Sequence, residues 1–190
     1  MILQRLREET QESHKRLEGR LDLLERALAL DSYRDLLGRF YGFYVPVETQ
    51  LERLCQNTLP DLQFPQRRKI HWLIQDLKAL GWTGPHIEAL PLCGVLPTLA
   101  LFPQALGCLY VLEGSTLGGQ IISRHLHGVH GIHAETGAAF FRSYGSHVGA
   151  MWRAFGAAIT SYEAGQEEES MIIHAACETF ATLETWLCDG

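Results

Sequence analysis

The stretch that decides the fold is YVLEGSTLGGQIISRHL, residues 110–126. Its apolar spacing is helical, yet it contains Gly114, Gly118 and Gly119, and Gly107 lies two turns earlier on the same stripe. Each glycine costs a helix about 1 kcal/mol relative to alanine, or about 3–4 kcal/mol together. That is a large part of the ~5–15 kcal/mol by which a domain is stable. Either another helix crosses here with its backbone close, or a bulky ligand presses on the main chain.

Outside this stretch the chain also favours helices. Leucine is far commoner than valine and isoleucine together, and no run alternates apolar and polar residues. We therefore expect an all-α fold. With 190 residues, 46% of them hydrophobic, we expect a single domain over residues 1–190.

The positions of the helices follow from apolar spacing and from glycine and proline. The first helix carries a stripe with spacings of three and four residues and a chain break or bend near Gly19; the stripe is Leu3, Leu6, Thr10, His14, Leu17, Leu21 and Leu24. Later helices are predicted over about residues 31–55, 66–80, 103–127, 140–165 and 167–187. The helix over 31–55 should bend at Pro46, and Gly128 and Gly131 should end the helix over 103–127.

Charge and cysteine content exclude several classes of protein. The net charge of −6 argues against nucleic acid as a partner. Five scattered cysteines without a Cys-x-x-Cys pair suggest reduced thiols and a cytoplasmic location. Residues 89–112 carry no charge, but three prolines interrupt them, so we expect no membrane span.

Two groups of histidines are candidates for chemistry. His14 shares a helix face with Thr10 and Glu18, so Glu18 could orient the imidazole of a metal ligand, although such a pair is more often a solvated one. His125, His127, His130 and His133 form a second cluster, for which a wet loop is the main interpretation and a transition-metal site the alternative.

Three segments in order resemble the heme oxygenase family, particularly its bacterial biliverdin-forming members. LREETQESHKRLE, residues 6–18, looks like the family's proximal helix, and residues 110–126 look like its distal helix. FFRSYGSHVGAMWRAF, residues 140–155, is similar to a third family segment.

The resemblance implies that heme lies between the proximal helix and a glycine-kinked distal helix. His14 would bind the iron, with Glu18 orienting its other nitrogen, and Thr10 would lie on the same face. Gly114, Gly118 and Gly119 would bring the distal backbone close to the porphyrin, so that bound oxygen leans toward one meso carbon. Cations for the heme propionates would be Arg7 and Arg153, and Tyr144 would add a hydroxyl.

One position departs from part of the family. Some members carry an aspartate after the first distal glycine, where it holds the water network that delivers protons, and this chain has Ser115 there. A serine hydroxyl can relay a hydrogen bond but is not an anion at neutral pH. Water bonded to the backbone, Ser115 or Thr116 would replace the aspartate, or turnover is altered.

The activity implied by the resemblance is oxidative cleavage of heme to biliverdin, ferrous iron and carbon monoxide. It needs dioxygen and electrons from a separate reductase or ferredoxin, and biliverdin could pass to a phytochrome or a reductase. Because Ser115 replaces the aspartate, a non-catalytic heme carrier or sensor is an alternative. A helical scaffold adapted to another substrate is a third.

Overall fold

The computed structural model of the chain describes residues 1–23, 29–56, 59 and 62–189. Within those ranges all regular structure is helical, which confirms the all-α prediction. The α-helices are α1 Ile2–Leu21, α2 Leu30–Cys55, α3 Ile70–Ala79, α4 Gly84–Glu88, α5 Phe102–His130, α6 Ala139–Arg142, α7 Val148–Ser161 and α8 Gln166–Cys188. None of the described helices is both long and apolar enough to cross a membrane.

Helix α1 runs through the predicted break. Gly19 lies inside it, and the helix ends only at Leu21, where Asp22 adopts a left-handed backbone with φ 42°. An added Cβ on Gly19 would meet nothing within 4 Å, so no close neighbour requires the glycine or bends the helix there. Leu24, predicted to continue the apolar stripe, lies outside the described residues.

The next two helices differ from their predictions at their starts. Helix α2 begins at Leu30, just before the predicted cap, and contains Pro46 as expected. The third predicted helix divides in two: a 3-10 turn covers Phe64–Arg67, and α3 begins only at Ile70. Arg68 between them is extended, and Arg67 and Lys69 on either side of it both bind the buried carboxylate of Glu113, a long-range contact that apolar spacing does not report.

Helix α5 carries the glycine-rich stretch without interruption. It extends from Phe102 to His130, and Gly131, with φ 67°, ends it in a left-handed cap. The predicted stop at Gly128 is wrong: that glycine keeps the helix, and the conformation that needs a glycine occurs three residues later.

The predicted unbroken helix over 140–165 is also wrong. Helix α6 ends at Arg142, Ser143 and Gly145 have positive φ of 48° and 57°, and α7 begins at Val148. A side chain at positive φ is strained, so contacts made elsewhere must hold this turn in place. Tyr144, in the middle of the turn, makes such contacts with Glu113 and Trp72.

Helix α8 organises the interior. It packs along both α1 and α5, and Gly107 of α5 lies so close to it that a Cβ there would sit 2.0 Å from the carbonyl oxygen of Ile172. At this position the close-crossing explanation for a glycine is confirmed. Helices α1 and α5 therefore lie on a shared support, and the candidate site is between them.

Candidate functional site

His14 lies on the exposed side of α1, with one ring nitrogen engaged. Its Nδ1 is 3.3 Å from a carboxylate oxygen of Glu18, and its side chain is 52% exposed. Among the described residues Nε2 has no hydrogen-bond partner. The ring packs edge-on against Phe180 of α8, with centroids 5.8 Å apart. Glu18 and Phe180 thus orient the imidazole and leave one nitrogen available as a ligand.

Thr10 of α1 is close to Tyr110 of α5. It is 3% exposed, and its hydroxyl donates to the carbonyl of Leu6 at 2.7 Å. Thr10 therefore supports the site from below its surface. His14 is one helical turn beyond Thr10, and Gly114 is one turn beyond Tyr110. Each lies about 6 Å along its helix from the place where Thr10 and Tyr110 are close together.

The glycines of α5 divide into two kinds. A Cβ on Gly119 would lie 2.6 Å from the carbonyl oxygen of Phe141, so this glycine is explained by helix packing. A Cβ on Gly114 would meet only the Trp152 ring, at 3.8 Å, and one on Gly118 would meet nothing within 4 Å. Gly119 was predicted to face a ligand together with the other two, and the structure gives it a different neighbour. Gly114 and Gly118 need another reason, and a ligand close to the backbone supplies one.

The open glycines share their helix face with two apolar side chains that the sequence analysis missed. Leu117 and Ile121 are 43% and 51% exposed. Residues 114, 117, 118 and 121 follow the i, i+3, i+4, i+7 pattern of one face. An exposed apolar strip beside bare backbone suits a flat, apolar ligand. The spacing was readable in the sequence, but which face lay open was not.

The two hydroxyls considered as replacements for the aspartate are bound to the backbone of their own helix. Ser115 donates to the carbonyl of Leu112 at 2.9 Å, and Thr116 donates to that of Glu113 at 2.7 Å. Tyr44 is close to Ser115, and complete burial raises the pKa of the Tyr44 hydroxyl well above its usual range, against a lowering by Ser115. Thr116 is 5% exposed, so Ser115 is the better placed of the two to contact water.

The two predicted cations lie on adjoining helices. Arg7 is exposed on α1, and its charge lowers the pKa of the Tyr110 hydroxyl, against a larger increase from burial. Arg153 is exposed on α7, beside Trp152 in the sequence. Helices α1 and α7 pack together where Leu3 lies against Gly156. The two arginines are therefore exposed on helices that contact each other.

Tyr144 has a different partner from the one that the resemblance implies. Its hydroxyl donates to Glu113 at 2.9 Å and lies 3.5 Å from the ammonium of Lys69. Its ring packs edge-on against Trp72 and lines a polar cavity of about 350 Å³ beside the turn at 143–147. Neither His14 nor an α5 glycine lines that cavity.

The second histidine cluster does not form a metal site. No group of three or more His, Cys, Asp or Glu side chains in the described ranges could hold a metal ion. His133 instead pairs with Glu135 at 2.8 Å, and the rings of His127 and His133 lie 6.5 Å apart. These results contradict the metal alternative. His125 and His127 belong to α5 rather than to a loop.

The donor set fits heme. A neutral imidazole with one free nitrogen can bind iron axially. An apolar strip with open glycines can cover a porphyrin face, and two exposed arginines can pair with its carboxylates.

Comparisons with known proteins point the same way. The profile of the family described as heme oxygenase matches residues 1–89 and 100–189. Among solved structures, heme oxygenase-1 of the cyanobacterium Synechocystis, in complex with heme, is similar with a TM-score of 0.82 and 20% identity, over 99% of this chain and 91% of that one. Heme oxygenase from Leptospira interrogans matches with a TM-score of 0.80 and 20% identity, over 100% of this chain and 99% of that one. The NO- and CO-bound heme oxygenase of Neisseria meningitidis matches with a TM-score of 0.78 and 22% identity, over 100% of this chain and 91% of that one. No curated protein sequence matches the chain.

Proposed function

We propose that His14 binds the heme iron of this chain, which belongs to the heme oxygenase family and is an enzyme that degrades heme to biliverdin. The observation that carries this proposal is the pairing of His14 Nδ1 with Glu18, which leaves Nε2 for the metal. Heme supplies the iron that activates dioxygen and is also the ring that is oxidised, so it is both cofactor and substrate. Ferrous iron and carbon monoxide are the other products.

The roles of the remaining residues follow from their positions. Gly114 and Gly118 let the α5 backbone approach the porphyrin, and Leu117 and Ile121 exclude water from it. Arg7 and Arg153 bind the propionates.

Proton delivery is assigned to Ser115 in place of the aspartate. Its hydroxyl is directed by the hydrogen bond that it donates to the Leu112 carbonyl, and its oxygen accepts a hydrogen bond from water in the pocket. The geometry of Tyr144, Thr116 and Gly119 supports structural roles for these three residues.

The proposal extends to the setting of the reaction. Electrons come from a separate reductase or ferredoxin, and biliverdin passes to a reductase or a phytochrome. We propose a cytoplasmic location, for which free cysteines are typical; Cys55, Cys93 and Cys108 are buried as free thiols. We also propose that residues 1–190 form a single domain, which is supported by one cluster of buried side chains that includes residues of α1, α2, α3, α5, α7 and α8.

Replacing His14 by alanine tests the iron ligand. Wild-type protein should take up about one hemin per chain and, with a reductant in air, release biliverdin. His14→Ala should lose the visible spectrum of imidazole-bound heme and the product, whereas His86→Ala, a change at an exposed histidine of α4, should keep both. An unchanged heme spectrum in His14→Ala would refute the assignment. A heme complex of the wild type that stays intact under these conditions would instead indicate a carrier.

A further inference from the structure

Four fully buried charges lie directly behind the glycine stretch. Glu48, Arg67, Lys69 and Glu113 are each 1–2% exposed. Burying charges is so costly that replacing a buried ion pair by apolar residues is often neutral or stabilising. Stability alone therefore gives no reason for this cluster, whereas fixing a geometry does.

Glu113, the residue before Gly114, is the centre of the cluster. One carboxylate oxygen pairs with Arg67, and the other accepts hydrogen bonds from Lys69 at 2.6 Å and from Tyr144 at 2.9 Å. We call Glu113 and these three partners the Glu113 clamp. All three partners come from segments far from α5 in the sequence.

The clamp is anchored to the rest of the molecule. Arg67 also donates to the carbonyls of Leu62, at 2.6 Å, and Met151, at 3.3 Å. Lys69 donates to the carbonyl of Arg67 at 2.9 Å, and its backbone amide donates to Glu48 of α2. Glu113 is therefore held by a frame that includes α2, α7 and the segment before α3.

The open glycines make such an anchor necessary. On the face that carries Gly114 and Gly118, the side chains of Leu117 and Ile121 are largely exposed and do not interlock with a neighbouring helix of the described residues. Apolar contacts are non-directional, whereas charge-assisted hydrogen bonds fix both distance and direction. A rotation of about 20° would move the surface of the helix by ~2 Å. Displacements of about 1 Å in an active site cost about a hundredfold in rate.

We propose that Glu113 is a positioning residue: its clamp fixes the rotation of α5 and so keeps Gly114 and Gly118 turned toward the heme. This inference rests on the proposed function of the same site. It assigns to Glu113 no contact with heme, and it predicts that loosening the clamp changes which meso carbon is opened.

The first test uses the heme-free protein and two clamp variants, Glu113→Gln and Lys69→Met. Hydrogen exchange of the amides of residues 114–121 should become at least about tenfold faster relative to the amides of α8, because a local opening loses its restraint. Glu184→Gln is the matched control: it alters a carboxylate that is 6% exposed and joins α8 to Arg16 and Arg20 of α1. It should leave the exchange of 114–121 unchanged. Equal acceleration in all helices would overturn the proposal.

The second test uses the heme-loaded enzyme and measures the ratio of biliverdin isomers. Both clamp variants should shift that ratio, Glu184→Gln should not, and the double variant should shift it no further than either single one, since both residues serve one clamp. An isomer ratio equal to wild type in both single variants would refute a positioning role. Unaltered heme binding in His14→Ala would refute the proposed iron ligand, while a local exchange effect in Glu113→Gln would still support the clamp.

Discussion

At the scale of single residues, the pairing of His14 with Glu18 was predictable and its surroundings were not. The four-residue spacing places both side chains on one face, and the structure has them 3.3 Å apart. That spacing alone equally suits a solvated surface pair. Phe180, far away in the sequence, packs edge-on against the ring, a contact that the spacing does not show.

Glu18 should matter for heme and little for folding. In Glu18→Ala the free energy of unfolding of the heme-free protein should change by less than about 1 kcal/mol, because the pair is exposed. Heme affinity should fall about 10- to 100-fold, since the imidazole loses the partner that orients it. Urea unfolding and hemin titration measure the two effects, with Glu12→Ala on the same helix as the control. Equal losses of stability and affinity would contradict this role.

At the scale of elements, the glycines of α5 show how far spacing can be interpreted. The sequence places Gly107, Gly114 and Gly118 on one stripe, but a close crossing and an open ligand face have the same spacing. In the structure the carbonyl oxygen of Ile172 lies against Gly107 and that of Phe141 against Gly119, whereas no backbone atom of the described residues approaches Gly114 or Gly118 in this way. The split of the predicted 140–165 helix has a similar origin, because Tyr144 is held by Glu113 and the chain must turn to let it reach there.

Alanine substitutions at two neighbouring glycines should therefore have opposite effects on stability. Gly118→Ala should raise the free energy of unfolding by up to about 1 kcal/mol, because a Cβ there has open space and alanine favours helix. Gly119→Ala should lower it by about 1–3 kcal/mol, because the methyl group would collide with the Phe141 carbonyl.

The same pair separates stability from heme binding. Gly118→Ala should weaken heme affinity despite its greater stability, since the methyl group enters the space left for the porphyrin. Urea unfolding and hemin titration of the two variants provide the comparison. A destabilised Gly118→Ala protein would show that this face is packed rather than open.

At the scale of the whole molecule, buried polar groups join elements that are distant in the sequence. Asp76 of α3 is an example: it is fully buried, and its two oxygens accept the amides of Ala139 and Phe140, both at 2.8 Å. Burial raises its pKa to about 6, against a lowering by these hydrogen bonds. Nothing in the apolar spacing of α3 indicates that an aspartate there caps α6.

This raised pKa gives a pH dependence of defined sign. The folded protein binds the Asp76 proton more tightly than the unfolded chain does. The contribution of this group to the free energy of unfolding is therefore fully present below pH 3.8 and is lost as pH rises to about 6. The loss from this one group is up to about 3 kcal/mol. Urea unfolding at several pH values should show that Asp76→Asn no longer loses this part of its free energy of unfolding as pH rises. The control Asp35→Asn, at an exposed position, should show the same loss as wild type. A decline in Asp76→Asn equal to that of wild type would contradict the assignment.

The sequence by itself determined the helical class, the order of the main helices and the four-residue pairing of His14 with Glu18. These depend on spacings of three, four and seven residues, which are local and survive without any knowledge of packing. Only the tertiary structure decided which glycines are open, where Tyr144 is bound and that Glu113 is clamped from behind. Those features are contacts between residues tens of positions apart, and their geometry exists only once the helices have packed.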